Sequence, residues 1–300
     1  MENLDKMVKM KKNAYSILTV CTLSGTLLSG CIQPDAKTAP KVESLQADTT
    51  VYLKEGMNNP NCQINLSLSY LQPASETDSL SLKINAAIQE AAFGKSYEAL
   101  PAGEVAATLQ KEYIDNYLTD VKQLFDADMH NGMKPEDIPQ WYNYQYDISS
   151  SLQMGKDSIW NYGITYFSNT GGAHPNTQKK YFNINSTTGE MITAGQVFSP
   201  KHEKEICDLI LKQLIYEMNQ RMNTDTITSV AGLNEFGILL DSSLYIPENF
   251  LLEKEGVMFY YNRYEIAPYS AGDFSLTVPY EQINALTAIS RSTFFKFISS

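Results

Sequence analysis

The chain has 300 residues, 43% of them hydrophobic, which allows one large domain or two small ones around a sizeable core. Its net charge of −11 argues against a nucleic-acid partner, since phosphates call for Lys and Arg, and leaves solubility or attraction of a cationic partner as the uses of the acidic surface. Four cysteines without a C-x-x-C pair give no support to a thiol zinc site or a redox motif.

The first residues are basic, with Lys6, Lys9, Lys11 and Lys12, and an apolar stretch from Ala14 to Leu28 follows that is too short to span a bilayer comfortably. It ends in Leu28-Ser29-Gly30-Cys31, which resembles the lipobox of bacterial lipoprotein signal peptides. That resemblance implies a signal peptide over 1–30, a diacylglycerol on the Cys31 thiol and an address in the bacterial cell envelope, with the outer membrane expected and its face left open. An ordinary secretory signal with a chance cysteine is the alternative. Loss of 1–30 removes four lysines, Glu2 and Asp5, and leaves −13. Cys62 and Cys207 then remain for the folded part, as one disulfide or two separate thiols. Residues 31–61 are polar, carry Pro34, Pro40 and Pro60, and read as a flexible tether with a reach of about 30 Å.

Strict alternation of Cys62, Ile64, Leu66, Leu68 and Tyr70 with polar residues predicts a strand. Ser75 to Asp78 resembles a capping box ahead of a helix with Leu80, Ile84, Ile88 and Ala91 on one face. A second helix follows, with Val105, Leu109, Tyr113, Tyr117, Val121 and Phe125 as its core-facing stripe. His130 to Pro139 reads as a loop, and Trp141 begins a strand in which Tyr142, Tyr144, Tyr146 and Ile148 share a face. Gly155-Lys156-Asp157 turns the chain into a strand through Trp160, Tyr162, Ile164 and Tyr166; a glycine loop and a further strand through Phe182 and Ile184 complete a meander. Beyond Gly189 come an irregular stretch to Phe198, a helix after Pro200, a polar connection over 223–240 and a hairpin around Lys254-Glu255-Gly256. An aromatic loop over 264–272, a strand through Phe274, Leu276 and Val278, and a short helix after Pro279 close the chain. The expected class is α+β: antiparallel meander sheets with helices on one face, in halves of 62–175 and 176–290 or as one compact unit.

Three features occur in order: Gly171-Gly172-Ala173-His174-Pro175-Asn176, then Tyr181-Phe182-Asn183 with Thr188-Gly189, then Tyr264 to Gly272. Together they resemble the extracytoplasmic RsiV-type domain of unknown function over residues 60 to 290, most closely from 160 to 280. Related modules accompany the peptidoglycan deacetylase PdaC, and many stand alone as lipoproteins, particularly in Bacteroidota. The resemblance makes the first half PdaC-like and the second half like the RsiV C-terminal region. In RsiV-type anti-sigma factors this region binds lysozyme. This chain shows neither the sigma-binding segment nor the catalytic domain of those relatives, so only ligand binding carries over.

The residues themselves offer little catalysis. Nucleophile elbow, phosphate-cradling loop and dinucleotide fingerprint are absent from the sequence, and no cofactor or metal is called for. His174, flanked by glycines, is either an acid–base candidate or a loop-holding imidazole; His130 and His202 lack the spacing of a metal site. Tyrosine offers an apolar face and a polar tip to a protein or a sugar. The candidate ligand-binding set is therefore Gly171, Gly172, His174, Asn176, Tyr264, Glu265 and Tyr269. The leading expectation is a non-enzymatic, lipid-anchored envelope protein that binds a cationic protein such as lysozyme. The alternatives are a module for peptidoglycan or another envelope glycan, and an unrecognised hydrolase using His174.

Overall fold

The computed structural model of the protein describes residues 40–157, 159–240 and 243–287; the expected signal peptide and Cys31 lie outside the described residues. The chain runs through β1 (Lys41–Tyr52), β2 (Asn61–Gln72), α1 (Ser79–Phe93), α2 (Ala102–His130), β3 (Tyr144–Met154), β4 (Ile159–Asn169), β5 (Asn176–Asn185) and β6 (Met191–Ile192). It continues with α3 (Ala194–Val197), α4 (Glu203–Met222), α5 (Val230–Asn234), β7 (Phe250–Leu252), β8 (Gly256–Tyr261), β9 (Phe274–Pro279) and α6 (Tyr280–Ile283). The class is α+β, as expected.

β1 to β6 form a six-stranded sheet in sequence order. Every pair is antiparallel except β2 and β3, which run parallel because α1 and α2 carry the chain back across the sheet. Register places Leu66 opposite Ile148, Ile148 opposite Tyr166, and Tyr162 opposite Phe182, so the apolar residues of four strands share one face. Against that face lie Ile84 and Ile88 of α1 and the stripe of α2, whose Val105, Tyr117 and Phe125 are fully buried. Two polar tips in this core find partners: the Tyr117 hydroxyl donates to the Tyr142 carbonyl at 3.1 Å, and the Tyr142 hydroxyl donates to Asp128 at 2.7 Å.

Several expectations give way here. The tether over 31–61 does not survive from residue 41 onward, where β1 pairs with β2 along its whole length. As an edge strand with one solvated face, β1 needs few apolar residues, and only Leu45 and Ala47 reach the core. The N-cap of α1 is Asp78 rather than Ser75. Its carboxylate accepts from Ala74 N at 3.0 Å and Ser81 N at 3.2 Å, and these bonds hold its pKa below the usual range. Trp141 sits in a short 3₁₀ turn, and the strand begins at Tyr144. The connection over 223–240 contains α5 and buries Ile227, Leu233, Ile238 and Leu239.

β7, β8 and β9 form a second, antiparallel sheet. Phe259, Tyr261, Phe274 and Val278 from this sheet bury against Ile206, Ile210 and Leu214 of α4 in a separate hydrophobic core. The expected boundary at 175 falls inside the first sheet, since β5 pairs with β4 from Asn176 to Asn185. The described residues, from 40 to 287, cluster as one compact unit.

Asparagines stitch the two sheets together. β5 pairs with β6 only at Asn183 and Ile184, which leaves most of its outer edge to be satisfied otherwise. Asn262 takes Lys179, accepting from its N–H at 2.7 Å and donating to its carbonyl at 3.0 Å. Asn249 accepts from Tyr181 N at 2.7 Å and donates to the Lys179 carbonyl at 3.0 Å. Asn183 itself donates to the Phe250 carbonyl at 2.8 Å and accepts from Leu252 N at 2.7 Å and from Asn161 Nδ2 at 2.9 Å.

Candidate functional site

The β4–β5 hairpin loop and the β8–β9 connection meet at one end of this seam. The hairpin turns at Gly171, where φ is +75° and a side chain's Cβ would lie 2.2 Å from the Trp141 carbonyl oxygen, so only glycine fits. At Gly172 a Cβ would meet only the His174 carbonyl oxygen, at an unstrained 4.0 Å. The turn leaves His174 exposed, with its ring stacked on Tyr269 at 5.2 Å between centroids and 18° between planes. The Tyr269 hydroxyl donates to the Pro175 carbonyl at 3.4 Å. Tyr264 leans on the same Tyr269 ring at 5.6 Å, and the Arg263 guanidinium lies 4.6 Å from its centroid. Tyr264 is 71% exposed and holds a φ of +69°, a strained backbone for a bulky residue.

The base beneath these rings is fixed. Glu265 accepts from the Tyr245 hydroxyl at 3.0 Å and from Asn262 Nδ2 at 3.2 Å. Burial, with Glu265 beside it, pushes the Tyr245 phenol up to about 12. Arg221 of α4 donates to the carbonyls of Ala271 and Asp273 at 2.8 Å each, with its guanidinium 4.4 Å from the Phe274 ring. The Asp273 carboxylate accepts from Lys179 at 3.0 Å and from the Tyr260 hydroxyl.

The seven candidate residues therefore divide. His174, Tyr264 and Tyr269 come together as an aromatic platform although two of them lie some ninety residues from the third. Gly171 serves packing, Glu265 braces the loop, and Asn176 pairs with Ser168 at the end of the ladder. Arg263, Arg221 and the bracing Asn249 and Asn262 do not stand out in the sequence. Nothing in the local pattern points to them, because their partners come from distant segments.

His174 makes no hydrogen bond to a carboxylate, hydroxyl or thiol among the described residues; its contact is the Tyr269 ring. His130 closes α2, and His202 precedes α4, 3.7 Å from Glu205. Among the described residues no group of three or more His, Cys, Asp and Glu gathers as a metal site. Cys62 and Cys207 are both free thiols: burial in the first core pushes Cys62 up to about 12, and the Cys207 thiol donates to the Leu244 carbonyl at 3.7 Å. Among the described residues no helix is long and apolar enough to cross a membrane.

Residues 196–281 match a family model described as a protein of unknown function, DUF3298. That segment runs from α3 to α6 and includes the Arg263–Gly272 loop. The chain is similar to the crystal structure of a member of the DUF3298 family from Bacteroides fragilis, with a TM-score of 0.75 and 25% identity over 87% of this chain and 98% of that one. It shares its fold with a DUF3298 family protein from Pseudomonas aeruginosa, with a TM-score of 0.57 and 14% identity over 85% of this chain and 96% of that one. No curated protein matches the chain.

Proposed function

We propose that the protein is a non-catalytic binding protein of the bacterial cell envelope, lipid-anchored through Cys31, that captures a cationic protein of the lysozyme kind on the platform of His174, Tyr264 and Tyr269. The observation that carries this reading is the stack itself: two loops present aromatic faces and a guanidinium to solvent on a braced base. Tyrosine and arginine are the residue types that dominate protein-binding hot spots. Rings already held in place lose little freedom when a partner arrives. The RsiV-type resemblance supports the same class of partner.

Charge and recognition occupy different surfaces. On α2, Glu104, Glu112, Asp115, Asp120, Asp126 and Asp128 stand against only Lys111 and Lys122. The platform carries Arg263 against its central Tyr269 ring. The acidic surface speeds the encounter with a cationic partner, and the rings supply the specificity.

The test is capture of lysozyme by the full chain at low and high salt, with the Tyr264→Ala, Tyr269→Ala pair alongside. We expect the pair to weaken binding by about thirtyfold, since a hot-spot truncation costs ~2 kcal/mol. Capture that persists both in high salt and in the paired variant removes the platform from the function. Salt-resistant retention on purified peptidoglycan that the Tyr264→Ala, Tyr269→Ala pair abolishes, without capture of lysozyme, puts a sugar on the same rings. A hydrolytic activity abolished by His174→Ala replaces binding with catalysis.

A further inference from the structure

A second recessed site lies on the first sheet, on the face turned away from α1 and α2. It has a volume of about 260 Å³, and its lining comes from the turn before β2, the segment entering β3 and the end of β4. Gln63, Gln145 and Asn169 stand side by side across β2, β3 and β4, with the register pairing Gln63 to Gln145 and Gln145 to Asn169. Asn59, Asn61, Gln140 and Asn143 close the remaining sides, and Tyr144 is the one lining residue that is not a carboxamide. No charged side chain contributes to the wall.

Internal bonds orient part of this wall and leave the rest available. Gln145 Nε2 donates to Asp147 at 2.6 Å, which turns its carbonyl oxygen the other way. Asn143 accepts from Asn61 N at 2.9 Å and donates to the Gln140 side-chain oxygen at 3.1 Å, which leaves the Gln140 amide nitrogen available. Among the described residues the side-chain amides of Gln63 and Asn169 have no hydrogen-bond partner. The site thus offers donors and acceptors at close intervals and no net charge. An anion meets no cation in the wall, and a metal ion meets no carboxylate. An apolar group would strand the amides without water. A polyhydroxylated neutral ring satisfies both kinds of group, because each hydroxyl donates once and accepts twice. The volume lies just below the range of roughly 300 Å³ and upward for drug-sized ligands, which suits a single ring.

We infer that this carboxamide-lined recess is a binding site for one residue of a neutral glycan, separate from the aromatic platform and independent of its partner. Because carboxamides do not titrate and carry no charge, the affinity should be insensitive to salt, in contrast to electrostatically steered capture of a cationic protein.

The experiment is calorimetric titration of the full chain with chitotriose, maltotriose and mannotriose, in wild type and in the Gln63→Ala, Asn169→Ala pair. Both side chains reach solvent and hold no other part of the protein, and circular dichroism checks the fold of the variant. At least one sugar is expected to bind with the same affinity at low and high salt, and the paired change to weaken it by about tenfold. The Tyr264→Ala, Tyr269→Ala pair should leave sugar binding unchanged, so failure of the platform and failure of the recess are read separately. Heat from none of the three sugars, or an affinity the Gln63 and Asn169 changes do not alter, overturns the proposal.

Discussion

Two junctions join the segment 160–185 to the segment 249–273, and they differ in kind. The asparagine seam of Asn161, Asn183, Asn249 and Asn262 is held by bonds of 2.7 to 3.0 Å between amides and backbone. The aromatic junction of His174, Tyr264 and Tyr269 is exposed and held by ring contacts and one long hydrogen bond. The first kind turns its amides inward, each donating to a fixed partner across the seam. The second leaves ring faces open to a partner. Adjacent stretches of one chain thus serve cohesion and display, and burial with satisfied polar groups separates the two roles.

The sharpest way to break the seam is Asn183→Leu. It strands the Phe250 carbonyl, the Leu252 N–H and the Asn161 amide, at ~1–3 kcal/mol for each buried group, so a loss of about 3 kcal/mol or more is expected in denaturant unfolding. Next comes Gly171→Ala, which meets the Trp141 carbonyl and a positive φ. A loss of about 1–3 kcal/mol is expected, whereas Gly172→Ala, whose Cβ would make only a van der Waals contact at 4.0 Å, should change the melting temperature little. On the platform, Tyr264→Gly should relieve the strained φ and stabilise the fold by about 1 kcal/mol while weakening partner capture. Opposite signs for stability and binding at one residue would separate display from cohesion most clearly.

The smallest effect is a pH dependence. Burial raises the Glu253 carboxyl above its ordinary value, so the folded protein binds that proton more tightly than the unfolded chain does. The stability linked to Glu253 is full below the unfolded pKa, and it is lost as pH rises through the folded one. Glu253→Gln should flatten that part of a stability profile recorded across the mildly acidic range. A slope unchanged by the substitution would assign it to another group.

Periodicity made part of this molecule readable in advance. β2, the stripe of α2 and the β7–β8 hairpin all stood out because each buries one face against a large core. β1 did not, because an edge strand with a solvated face gives little contrast between its two sides. The asparagine seam was hidden for a different reason. Asparagine in a sequence signals a turn, and only the placement of β5 beside β7 and β8 turns its amides into inter-sheet partners. The loops of the platform were picked out by glycine and tyrosine content, but their contact depends on the register of two sheets. Gln63, Gln145 and Asn169 read as ordinary outward-facing residues of three separate strands until those strands are aligned.

The parallel pairing of β2 with β3 also sets an order of assembly. Asn65 donates to Asp147 across 82 positions of chain, while β3, β4 and β5 are joined by short turns. Closing the longer loop costs roughly 2–3 kcal/mol more in chain entropy than closing a hairpin. The meander is therefore expected to form first, and the β1–β2 hairpin, closed by the short connection 53–60, to dock on it afterwards with α1 and α2. Pulsed hydrogen exchange should protect the amides of β4 and β5 before those of β1. The segment that leaves the ribosome early is then among the last to find its place, and β3 keeps an open edge until the β1–β2 hairpin docks on it.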